Sequence, residues 1–111
     1  MLPEAHRRKA ERLERTISKL SDAADYETIV EACHTAAVHH IAVLCEIRRR
    51  KHLDAHKGLA RFLDANGMAD LAVLFRDLEG LRTAKYYGGQ GDGKSAKEAK
   101  RILAEIKELV R

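Results

Sequence analysis

The chain has 111 residues, 45% of them hydrophobic and 34% charged, with one proline, two cysteines, no tryptophan and a formal net charge of +4. That length supports a single core but not two domains, so residues 1–111 are read as one unit. The bias toward Ala, Leu, Glu, Lys and Arg is helical, and the positive balance favours an anionic partner without indicating a fold.

Pro3 and Glu4 suit a first helical turn, and Ala10, Leu13, Ile17 and Leu20 recur at spacings of three and four, predicting a first helix over 3–20. Its other face carries His6, Arg7, Arg8, Lys9, Arg12 and Arg15, a solvated surface or an anion-binding stripe. Ser21 to Asp25 is a polar break with Asp25 as N-cap, and a second helix runs from Tyr26 to about Arg50 through Val30, Cys33, Ala37, Leu44 and Ile47. Residues Ala36 to Cys45 are apolar nearly all round apart from His39 and His40, which makes this the central helix. Arg48, Arg49, Arg50, Lys51 and His52 close it, complementing the negative end of the helix dipole or offering an RNA-contacting edge.

A shorter third helix follows over 53–65, with Asp54 near its start and Leu59, Phe62 and Leu63 inward, and Asn66 and Gly67 stop it. Met68, Leu71, Phe75 and Leu78 mark a fourth helix; Gly80 within it is tolerable if another backbone approaches closely there. After a glycine-rich stretch, Ser95 and Glu98 form a capping box, and Ala99, Ile102, Leu103, Ile106 and Leu109 give the last helix its apolar face. No segment alternates with period two. The expected fold is all-α, an up-and-down bundle of four long helices and one short one.

Cys33 and Cys45 on one helix stand about 18 Å apart at 1.5 Å per residue, too far to pair within a subunit. Without a signal-like start, or an apolar run approaching the ~20 residues of a membrane span, the expectation is a cytoplasmic chain with reduced thiols and no membrane contact.

Gly88 to Ser95, GGQGDGKS, matches the phosphate-cradling loop GxxxxGK[ST] as text. That loop needs a strand before it and further strands for a magnesium-binding acid, and none is predicted, so the glycines read as a connection; weak anion binding at the last helix's N-terminus is the lesser alternative. Glu31 and His34 make one Glu-x-x-His pair, but a di-iron bundle needs a second, and His52 and His56 straddle a helix boundary. No metal or other cofactor is expected.

The order of elements resembles the HEPN superfamily of small helical-bundle domains. HRRKAERLERTISKL over His6 to Leu20 and EACHTAAVHHIAVL over Glu31 to Leu44 resemble the family's first two helices; LRTAKYYG over Leu81 to Gly88 is similar to its helix-ending arginine motif. The resemblance implies a homodimer with two motifs facing across a cleft, often beside a minimal nucleotidyltransferase, and in many members metal-independent ribonuclease activity of toxin or RNA-processing type. The motif arginine falls on Arg82, and the histidine position falls on Tyr87 or the glycines after it, because His56 is the last histidine in the chain. A tyrosine, with an ordinary pKa near 10, is a poor general base at neutral pH but can donate a hydrogen bond to phosphate.

The leading expectation is therefore an HEPN-like domain that homodimerises and binds RNA or nucleotide, or partners a nucleotidyltransferase, without strong catalysis of its own. Arg82 would grip phosphate through its planar fork, Tyr86 or Tyr87 would add a hydroxyl or stacking face, and Lys85 and Lys94 would add charge. Two alternatives stand beside it: a metal-independent ribonuclease using Arg82 with Tyr87, and a purely structural dimeric module.

Overall fold

The computed structural model describes residues 2–48, 58–88 and 93–110, and every regular element among them is helical. In chain order these are α1 (Pro3–Ile17), α2 (Tyr26–Arg48), α3 (Leu59–Ala65), α4 (Ala69–Gly88) and α5 (Gly93–Val110).

Helix α1 begins as its sequence suggests: Leu2 is extended, Pro3 follows it and Glu4 faces the positive end of the dipole. It ends at Ile17, three residues before the expected limit, and Leu20 closes the following turn by donating to the Ile17 carbonyl at 3.1 Å. The inward stripe starts a turn earlier than Ala10. His6 is only 7% exposed, so it does not join the solvated arginines around it. It stands four residues before Ala10 on the 6-10-13-17 stripe, and its Nδ1 lies 2.8 Å from Nδ1 of His39 on α2. One ring donates and the other accepts, which satisfies both Nδ1 atoms, while His6 Nε2 stands 3.8 Å from Glu46 Oε1.

The break before α2 is held by reciprocal bonds. Ser21 Oγ accepts the Ala24 amide at 3.2 Å, and the Ser21 amide donates to the Asp25 carboxylate at 2.8 Å. Asp25 does precede α2, but its carboxylate turns back to Ser21 instead of capping the helix.

Helix α2 is the centre of the bundle, packed against α1, α4 and α5. Cys33, Ala36, Ala37, Ile41 and Cys45 are all fully buried, and the small residues let neighbouring helices approach closely. His40, beside the packed face, lies 3.2 Å from Glu14, whose other oxygen meets Lys107 of α5 at 2.6 Å. Burial raises the Glu14 pKa, but hydrogen bonds and charge from His40 and Lys107 together outweigh it and hold the carboxyl below its ordinary value. The expectation that no stretch is apolar enough for a membrane span is corrected: Tyr26–Ile47 has the length and composition of one, although 78% of its most apolar window is buried inside the bundle. A helix enclosed on several sides becomes as apolar as one facing lipid.

Helix α3 is described from Leu59, and the expected start with Asp54 lies outside the described residues. Gly67, at φ 76°, ends it in the left-handed region, where the Met68 amide reaches back to the Leu63 carbonyl at 2.9 Å and the Gly67 amide to Asp64 at 3.3 Å. In α4 and α5, Leu71, Phe75, Leu78, Ala99, Ile102 and Ile106 are at most 3% exposed, each large one contributing about 1.5–3 kcal/mol of burial. Leu109, expected inward, is 43% exposed at the end of α5.

Two expectations around the glycines change. Outside its own helix, no atom of the described residues lies within 4 Å of a Cβ built on Gly80, so no backbone among them approaches it. Helix α5 begins at Gly93, which puts Ser95 inside its first turn rather than at the N-cap position that the capping box assigns to it.

Candidate functional site

Arg82 lies in the last turns of α4, on the face that meets the N-terminal half of α2. Both helices carry polar pairs three residues apart, Glu31 and His34 on one and Glu79 and Arg82 on the other. That spacing puts each pair on one helix face. The helices run antiparallel here, so Glu31 meets Arg82 while His34 meets Glu79 and, a turn further, Phe75.

Arg82 Nε donates to Glu31 Oε1 at 2.9 Å, with the two side chains 42% and 32% exposed. His34 is buried, its ring centroid 5.2 Å from that of Phe75. Its Nε2 stands 3.6 Å from Glu79 Oε2, too far for a hydrogen bond, and has no other partner. Burial, and next the charge of Arg82, lower the His34 pKa below its ordinary value against the opposing pull of Glu79 and Glu31. At neutral pH the ring therefore favours its neutral form, which can accept a proton. Arg82 is not an open fork: an incoming phosphate would have to share it with Glu31 or displace that carboxylate.

The other expected site residues are less closely defined. The backbone of Lys85, Tyr86 and Tyr87 belongs to α4, and their side chains lie outside the described residues. Lys94 is exposed in the first turn of α5. The glycine string is not one loop, since Gly88 is the last residue of α4 and Gly93 to Ser95 belong to α5; residues 89–92 lie outside the described ones. A Cβ on Gly93 would stand 3.6 Å from the Ala23 backbone, so the start of α5 is packed against the turn before α2. A helix feeding the string, and a second chain segment against its exit, do not make a phosphate-cradling loop. The basic run Arg49 to His52 also lies outside the described residues, as does the Arg50–His56 spacing.

Among the described residues no three His, Cys, Asp or Glu side chains cluster in a way that could hold a metal ion. The Glu-x-x-His pair is used differently: Glu31 holds an arginine and His34 packs on a phenylalanine. Sequence reading missed His34 as a neighbour of Arg82. The available signal was the matching three-residue spacing on α2 and α4, but the register between the two helices is a tertiary property. Comparison with known protein families, characterised proteins and solved structures finds no match for this chain.

Proposed function

We propose that the chain is an HEPN-like helical domain that self-associates and binds a phosphate of RNA or nucleotide through Arg82. The observation that carries this reading is the arginine–imidazole neighbourhood: Arg82, 42% exposed, stands close enough to His34 for its charge to depress the ring's pKa. No histidine follows Arg82 in the chain, and among the described residues the imidazole beside it comes from α2. Phosphate recognition by a planar guanidinium explains an arginine at this position better than a surface ion pair does, because such pairs stabilise by only about 0–1 kcal/mol.

The pairing with Glu31 gives the reading a signature. In fluorescence anisotropy with a short single-stranded RNA at low salt, Arg82→Ala should weaken binding about tenfold, while Glu31→Gln should tighten it by removing a competing carboxylate. If both substitutions leave binding unchanged in a folded protein, Arg82 is a structural tie between α2 and α4 and the phosphate reading fails. Light scattering measures the self-association.

A metal-independent ribonuclease is the second reading, favoured by the neutral, hydrogen-bond-deficient ring of His34 beside Arg82. RNA cleavage in EDTA that disappears in both Arg82→Ala and His34→Gln would select it over simple binding.

A further inference from the structure

Helix α1 turns its 6-10-13-17 stripe toward the bundle and leaves a second stripe outside. Arg8, Arg12 and Arg15 follow one another at four and three residues, and Lys19 stands four further on, in the turn that continues the helix through Ser18 with right-handed helical dihedrals. At 100° per residue the four fall within one sixth of the circumference, strung over roughly 16 Å. All four are exposed, and among the described residues none of their side chains meets a carboxylate or any other polar partner. Other exposed arginines are paired singly, Arg101 with Glu98 and Glu105, Arg76 with Asp64 and Arg7 with Glu4, and exposed Arg61, unpaired among the described residues, has no other cation beside it on α3. Four aligned cations with no ion-pair contact repel one another in the free protein, offset only in part by Glu11 at helical spacing from Arg8 and Arg15, and a line of anions would relieve that repulsion.

We infer that this stripe is a docking surface for the backbone of single-stranded RNA. Cations one turn apart along a convex ridge suit a flexible chain of phosphates, whereas a single small anion needs donors that converge on one point. An anionic membrane surface fits less well, because an interfacial helix needs an apolar face beside its basic one. The apolar face of α1, Ala10 and Ile17 with Leu13 beside them, is already packed against the bundle. The choice of RNA rests on the function proposed above; the stripe itself is independent of Arg82.

The test uses the full chain, a fluorescein-labelled 20-nucleotide oligo-uridylate and anisotropy titrations from 50 to 200 mM salt. Four phosphate contacts predict a slope of log K against log salt of about −2.8, at about −0.7 per contact on a single strand. The triple variant Arg8→Gln/Arg12→Gln/Arg15→Gln should make that slope shallower by about 2 and weaken binding on the order of 10²-fold at 50 mM salt. Its helical circular dichroism and melting temperature should stay close to wild type, since all three side chains are exposed. The corresponding triple Arg→Lys variant, which keeps the charge, should retain most of the slope. An unchanged slope in the Gln variant overturns the inference, as does wild-type protein that binds no RNA at 50 mM salt. Oligoglutamate or phosphatidylserine vesicles competing as well as RNA would also overturn it. If Arg82→Ala removes binding and the Gln triple does not, the stripe is wrong and the Arg82 reading stands; the reverse result keeps the stripe and removes Arg82.

Discussion

Gly80 sits in the exposed interior of α4, next to Glu79 and two residues before Arg82. Replacing it with alanine should stabilise the protein. Glycine in a helix interior is about 0.8–1.0 kcal/mol less favourable than alanine, because it loses more backbone freedom on folding. A steric penalty would offset that gain, but a Cβ built at this position finds nothing within 4 Å. Nor is the backbone left-handed here, the described glycines with positive φ being Gly58 and Gly67. For a chain of 111 residues, unfolding entropy near the midpoint is on the order of 230 cal/mol/K, so the substitution should raise Tm by about 4 °C. Thermal and urea denaturation followed by circular dichroism measure it. Gly67→Ala is the matched control of opposite sign: at φ 76° an alanine should destabilise by roughly 1–2 kcal/mol. A Gly80→Ala protein that melts at or below the wild-type temperature would refute the reasoning. If that loss grew with protein concentration, a second copy of the chain would be the group that needs the glycine's space.

Acid should weaken the fold through His34. Its folded pKa lies below the ordinary imidazole value near 6.5, so between the two values the unfolded chain binds a proton that the folded chain does not. The stabilisation is complete above pH ~6.5 and is lost as pH falls through that window, at no more than about 1.4 kcal/mol per pH unit for one proton. Urea denaturation from pH 7.5 to 5 should show a shallower decline in His34→Gln than in wild type; parallel profiles would exclude His34 as a source. Cys33, fully buried, has its thiol pKa pushed up to about 12 chiefly by burial. Mass spectrometry should find it unalkylated by iodoacetamide in native protein at pH 8 and modified in urea, and rapid native labelling would contradict the packing around α2.

Much of the bundle is legible in residue spacing. Ala10, Ile17, Phe75, Leu78, Ile102 and Ile106 are buried where a 3.6-residue period puts them, and Gly67 ends α3 in the left-handed conformation that only glycine adopts readily. His6 also fits the period, four residues before Ala10, yet residue type groups it with the arginines on either side. Its partner His39 helps make an imidazole tolerable there, because a buried ring nitrogen must find another polar atom. Helix ends were less legible. Asp25 and Ser95 are both good N-cap types, but one carboxylate is taken by Ser21 and the other residue lies within a helix that starts earlier.

What the sequence by itself determined is local: which stretches are helical, which face of each is apolar, and the outward alignment of Arg8, Arg12 and Arg15 on α1. Those properties follow from the 3.6-residue turn and hold wherever the helix is put. Only the tertiary structure decided what Arg82 meets. The antiparallel register of α2 and α4 joins residues 51 positions apart in the chain, bringing Glu31 to the guanidinium and His34 into its field. Register depends on how two complete side-chain surfaces interlock, a property of the packed pair that neither helix carries alone.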